Sequence, residues 1–221
     1  MCRFLMVKSQ TPFQSGEILK KFADMTKNSR ALDGDWQGDG WGISWISSSQ
    51  EWCIKKSIQP IWEEVHIASY IPESKLTMVH ARSASFPNHK NVLDYNQPYI
   101  REPYAFVFNG FLRGVSFPRP VIGNIGSQKI WNILYDLLMQ FSPEESLVRT
   151  KELLKRNSRL LQAMNIGLCD KKSMYAYCYY SEHPEYYNLH IYQSPSLKII
   201  SSEALKGYDF TPVIPDKVIT L

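Results

Sequence analysis

At 221 residues, with 44% hydrophobic and 21% charged side chains, the chain has an ordinary globular composition and enough length for a core that needs no staples. No stretch approaches the roughly 20 uncharged residues of a membrane-spanning helix, and CRFLMV followed at once by KSQTP is too short for the apolar segment of a secretory signal, so a cytoplasmic protein is expected. A net charge of +4 is too small an excess to mark a nucleic-acid binder.

The elements follow in order. Cys2 to Val7 reads as a strand, and Ser15 to Met25 as a helix with Ser15 as its N-cap and Ile18, Leu19, Phe22 and Met25 on one face. A turn-rich stretch leads into residues 33–45, DGDWQGDGWGISW, which hold glycines at loop spacing before alternating into a strand that pairs with a second near Trp52 to Ser57. Leu76 to Ala81 and Ala105 to Asn109 are short apolar runs that suit strands buried on both faces. Between Gln128 and Phe141 apolar residues recur at helical spacing. FSPEE then predicts a further helix to about Lys155, with Ser142 as cap, Pro143 in the first position and Glu145 closing a capping box. From Met164 the pattern is again of strands: MNIGLC, SMYAYCYY, LHIYQ, LKIISS and VITL. This order predicts an α+β chain, with sheets and helices in separate layers and one domain over residues 1–221.

Four dispersed cysteines with no CxxC pair argue against a disulfide framework or a zinc site, and Cys53, Cys169 and Cys178 read as small core hydrophobes. Cys2 stands apart. Once Met1 is removed it carries a thiol and a free α-amine on one residue. A thiol attacks as its thiolate, and its free pKa of about 8.5 leaves only a small ionised fraction at neutral pH. An α-amine of pKa about 7.7–8.0 keeps a usable neutral fraction and can serve as the base, where a lysine near 10.4 would not. Nucleophile and base are then supplied together. Taken alone, Cys2 reads first as a buried cysteine in an N-terminal strand.

MCRFL, GDGWGISW (38–45), VHARSAS (79–85), NQPY (96–99), FVFNGFL (106–112) and SSEAL (201–205) occur in fixed order across nearly the whole chain, and together they resemble the class II glutamine amidotransferases. These are N-terminal nucleophile hydrolases, and the likeness is to the short, stand-alone members. The resemblance implies a four-layer αββα sandwich and cleavage of the γ-glutamyl amide of glutamine or of a γ-glutamyl compound. It implies no cofactor and no metal. Ammonia would pass to a separate synthase subunit, or the hydrolysis would be the whole reaction. By position, Cys2 matches the nucleophile and Arg82 the arginine that holds the substrate carboxylate, a bidentate task suited to guanidinium. Asn109 and Gly110 match the oxyanion hole, and Ser85 and Ser127 fall on the substrate-binding segments. Read one at a time, Arg82 is also a plausible strand-end arginine, Asn109-Gly110 a hairpin turn and GDGWG a plain loop.

The chain departs from the family pattern at several points. Phe108 stands where His often precedes the Asn-Gly pair, and Ala204 where Pro follows SSE. Ser127 or Gln128 occupies the region that usually supplies a carboxylate for the substrate α-amine. A hydroxyl accepts a hydrogen bond but brings no countercharge, so free glutamine is expected to bind poorly, or the substrate to carry its amino group differently. The alternative is a binding or regulatory subunit that keeps the fold without turnover. The five histidines show no HExxH or paired-ligand spacing. GDGWG is not followed by GK[ST], which argues against phosphate cradling. The basic stretch 149–159 reads as a solvated helix face.

Overall fold

The computed structural model describes residues 1–29, 36–64, 66 and 71–221; residues 30–35, part of the turn-rich stretch expected after the first helix, lie outside the described residues. Among the described residues twelve strands form two antiparallel sheets. The larger contains β1 (Arg3–Phe13), β2 (Trp41–Ile46), β3 (Trp52–Ser57), β4 (Ser74–Ala81), β9 (His190–Gln193), β10 (Leu197–Ser201) and β11 (Thr211–Pro212), in the order β11-β9-β10-β1-β4-β2-β3. The smaller contains β5 (Tyr99–Arg101), β6 (Tyr104–Arg113), β7 (Leu160–Cys169), β8 (Met174–Tyr180) and β12 (Val218–Thr220), in the order β12-β8-β7-β6-β5.

Side-chain alternation builds three apolar layers from these sheets. Phe4, Met6, Met78, Ala105, Val107, Ala176 and Ile200 meet between the sheets. Leu5, Val7, Ile43, Val79 and Ile199, from the opposite face of the larger sheet, pack on Ile18, Leu19 and Phe22 of α1 (Gly16–Asn28). Phe106, Phe108, Ile166 and Leu168 pack on α2 (Gly126–Leu138) and α3 (Pro143–Arg156). The result is the expected αββα sandwich. Small residues let the sheets approach: a Cβ on Gly167 would lie 2.3 Å from the Met6 sulfur.

Local signals were met unevenly. Ser142 caps α3 by accepting the Glu145 N–H at 3.2 Å, but Glu145 binds Arg149 through its side chain instead of reaching back to close the box. Ser15 occupies the cap position of α1 without a capping bond. Cys169 and Cys178 are core residues, while Cys53 on β3 is only half-buried, contrary to expectation. The basic stretch 149–159 is not simply solvated either. Lys151 is buried against Glu152 (2.7 Å) and Asp216 (3.2 Å).

Phe106, fully buried on β6, stacks on Trp131 of α2 at 5.0 Å and thereby docks that helix on the sheet. Phe106→Ala is expected to cost about 3–5 kcal/mol, read as a lower urea midpoint with the m-value unchanged.

Candidate active site

The inward positions of the two sheets run out at one end of the sandwich, and there they expose polar side chains. Along β1 the inward residues Phe4 and Met6 are preceded by Cys2; along β6 Ala105 and Val107 are followed by Asn109; along β4 Met78 and His80 are followed by Arg82. A cleft of about 1270 Å³ opens at this end, and Cys2, Arg82, Ser85, Asn109, Gly110 and Ser127 all line it. The six residues singled out from sequence are therefore brought together.

Cys2 is held through its neighbour. Arg3, 1% exposed, donates from Nε to Glu203 Oε1 at 2.6 Å and from Nη1 to the Cys2 carbonyl at 3.3 Å, and its guanidinium lies 4.0 Å over the Tyr186 ring. Ser202 accepts the Phe4 N–H through its hydroxyl at 2.9 Å and returns its own N–H to the Phe4 carbonyl. SSEAL thus serves as the anchor of the first strand. The Cys2 sulfur lies against the Ser83 backbone, 3.5 Å from its nitrogen. The Met1 carbonyl accepts from Gln37 Nε2 at 2.8 Å.

Arg82 is 4% exposed, donates from Nη2 to the His89 carbonyl at 2.7 Å and leaves Nη1 without a partner. Its backbone is fixed by GDGWG: Asp39 donates its N–H to the Arg82 carbonyl at 3.0 Å, and Arg82 donates its own to Gly40 at 2.8 Å. Gly40 has φ of +111°, and a Cβ on Gly42 would lie 2.3 Å from the Gln97 carbonyl, so glycine is what lets the NQPY segment close on this loop.

Asn109 and Gly110 are not in a turn. They lie inside β6, which continues to Arg113, past the Asn109 end expected from sequence. Asn109 is 2% exposed, and neither side-chain polar atom has a partner. A Cβ on Gly110 would come within 2.4 Å of the Ala163 carbonyl on β7. Ser127, at the start of α2, shares a hydrogen bond of 3.1 Å with the Tyr99 hydroxyl, whereas Gln128 turns away to the Asn124 N–H and the Asp94 carbonyl. Of the two candidates for the usual acid position, Ser127 faces the cleft. Ser85 is exposed at its mouth.

Two residues were given no role by sequence reasoning. Gln97, 3% exposed, accepts the Phe108 N–H at 2.6 Å and donates to the Phe108 carbonyl at 3.2 Å, gripping β6 one residue before Asn109. His80 reaches the same carbonyl through Nε2 at 3.2 Å, which fixes it as the donor there. Burial holds its pKa down to about 3, opposed by that hydrogen bond and reinforced by the Arg82 and Lys56 charges. Position in NQPY was the available signal for Gln97; its partner is 11 residues away on another strand.

Among solved structures the chain is similar to a glutamine aminotransferase class-II domain protein from Silicibacter pomeroyi, with a TM-score of 0.66 and 14% identity over 99% of this chain and 94% of that one. It is also similar to the glutamine phosphoribosylpyrophosphate amidotransferase of B. subtilis, with a TM-score of 0.68 and 13% identity over 99% of this chain. The fold is that of the class II glutamine amidotransferase domains. This chain spans 47% of the B. subtilis enzyme. A protein described as a predicted glutamine amidotransferase from Pseudomonas aeruginosa PA01 matches with a TM-score of 0.56 and 13% identity, over 99% of this chain and 96% of that one. No protein-family model and no curated protein matches the sequence.

Gln97→Ala leaves the buried Phe108 N–H unpaired and is expected to cost about 1–3 kcal/mol. Gln97→Glu tests the grip through pH. Burial raises its carboxyl pKa and the protonated acid reproduces both bonds, so near-native stability is expected below the unfolded value of about 4.3, with loss as pH rises through the raised native value. Denaturation curves across pH distinguish the two variants. His80 has the opposite sign, because its depressed native pKa means the unfolded chain binds the proton first. Stability is expected to be full above about pH 6.5 and to fall toward pH 3 by up to about 1.4 kcal/mol per pH unit, a dependence that His80→Gln removes.

Proposed function

We propose that the protein is an amidohydrolase that cleaves a γ-glutamyl amide through an N-terminal cysteine exposed by loss of Met1. The observation that carries this reading is the meeting of Cys2, the unpartnered Arg82 Nη1 and the unpartnered Asn109 side chain in one cleft. The two groups otherwise orphaned there, Arg82 Nη1 and the Asn109 side chain, acquire partners in a substrate that has a carboxylate and an amide carbonyl.

The Cys2 amine takes the thiol proton, and the thiolate adds to the amide carbon. The carbonyl oxygen gathers negative charge and is met by the Asn109 side-chain N–H and the Gly110 backbone N–H, fixed by strands and so needing little reorganisation. The ammonium of Cys2 returns its proton to the leaving nitrogen as the C–N bond breaks, which leaves a γ-glutamyl thioester. Water, deprotonated by the same amine, hydrolyses the thioester and restores the thiol. Arg82 holds the substrate carboxylate, with Ser85 and Ser127 completing the binding walls. Ammonia leaves free or passes to a separate synthase subunit. The cytoplasm, where thiols stay reduced, is the compartment we propose; all four cysteines are free. Among the described residues no helix is long and apolar enough to cross a membrane.

The test is labelling of Met1-free protein by a diazo-ketone analogue of glutamine, read by peptide mass spectrometry, alongside ammonia release. Modification of Cys2 that is lost in Cys2→Ala and weakened in Arg82→Ala is the expected outcome. Asn109→Ala should lower kcat by about 10²–10³-fold, as removal of one oxyanion donor does. An unlabelled Cys2 in folded protein would assign the cleft to a binding or regulatory subunit without turnover.

A further inference from the structure

Among the described residues the charges on the cleft wall are all of one sign. Among the described residues that line it, Arg82, Arg113, Arg119 and Lys129 are cationic and no Asp or Glu is present. None of the four is ion-paired to a described carboxylate. Arg82 is buried in the cleft lining with its Nη1 unpartnered, while Arg113, Arg119 and Lys129 line the cleft as exposed side chains. Asp39, which accepts the N–H of the lining residue Ala84 at 2.8 Å, is already paired to Lys90 at 3.3 Å.

The start of α2 adds to this field. Ile125, Gly126 and Ser127 line the cleft, Ile125 provides no side-chain cap, and the helix presents the positive end of its dipole there. A Cβ on Gly126 would meet nothing within 4 Å, so this corner has room and, among the described lining residues, no acid. The Ser127 hydroxyl is already engaged by Tyr99. Among the described residues a substrate ammonium would find repulsion and no countercharge, whereas each further carboxylate would find a cation. The volume of about 1270 Å³ also exceeds the roughly 300–1,000 Å³ typical of small-molecule pockets, far more room than one amino acid fills.

Resting on the amidohydrolase reading above, we infer that the cleft selects an anionic carboxamide without a free ammonium, its α-nitrogen acylated or absent, over zwitterionic glutamine. The carboxylate next to the reacting arm binds Arg82, and an acyl extension runs along the wall of Arg113, Arg119 and Lys129.

Calorimetric titration of the Met1-free Cys2→Ala protein, with Cys2→Ser as a second background, measures this without turnover. The probes are L-glutamine, N-acetyl-L-glutamine and glutaramate, the monoamide of glutarate, which is glutamine without its α-amine. Both anions are expected to bind at least tenfold more tightly than glutamine, by a margin that shrinks with added salt. Gly126→Asp, which places a carboxylate in the open corner, should reduce the preference at least tenfold, and Lys129→Glu should weaken the anions selectively. Glutamine binding as tightly as the anions, or binding of none of the three, overturns the inference. Ammonia release is scored separately on the protein with Cys2 intact. Cys2-dependent release from glutamine with no anion preference sinks the inference and leaves the amidohydrolase standing. Anion-selective binding with no release from any probe upholds the selectivity and sinks the chemistry.

Discussion

The Arg3–Glu203 pair is the constraint on which the site depends. A residue near a chain terminus has few covalent neighbours to hold it, and termini fray unless they are tied down. Here the second residue supplies the thiol, so the tie must come from tertiary contacts. Arg3 is buried beneath the Tyr186 ring and bound to Glu203 at 2.6 Å, and it also donates to the Cys2 carbonyl. Arg3 is 1% exposed and Glu203 34% exposed, so the contact is held by the penalty of leaving the Arg3 charge uncompensated in the protein interior. The adjacent Ser202 bonds on Phe4 extend the grip, and β1 runs on between β10 and β4 in the middle of its sheet.

From that anchor the rest of the site follows by alternation. Because side chains point to opposite faces in turn, fixing Phe4 and Met6 between the sheets also turns Cys2 inward. The same rule on β6 sets Asn109 on the line of Ala105 and Val107, and beyond the end of β4 it sets Arg82 on the line of Met78 and His80. The two sheets close on small and apolar residues until they reach this end, where the polar groups gather. His80 and Gln97, both bonded to the Phe108 carbonyl, lock the strand that carries Asn109 just before the polar groups begin.

Much of this was legible in the sequence where the signal is local. Strand alternation, helical spacing in α2 and the Ser142-Pro143 start of α3 each depend on neighbours within a few residues. The resemblance to a known family gathered Cys2, Arg82, Asn109, Gly110, Ser85 and Ser127, and all six line one cleft. What sequence did not give depends on partners far along the chain. Glu145 had a local choice between the helix start and Arg149 and took the latter. Lys151 looked solvated because Asp216, with which it pairs, is remote in sequence. Asn-Gly is a strong turn signal, yet β7 supplies a partner strand and holds the pair extended. The tight approach of the Ala163 carbonyl gives Gly110 a steric reason unrelated to a turn.

The connection from β6 to α2, residues 114–125, has no regular structure and brings Arg119 and its apolar neighbours to the cleft. The Asn109 amide, by contrast, belongs to a central strand and the thiol directly precedes another, and the register of these strands cannot slip without turning whole faces inside out. Surface connections tolerate insertion and substitution far better than strands do. This division leaves the lining supplied by residues 114–125 free to change by substitution in one loop, while strand register holds the thiol and the Asn109 amide in place.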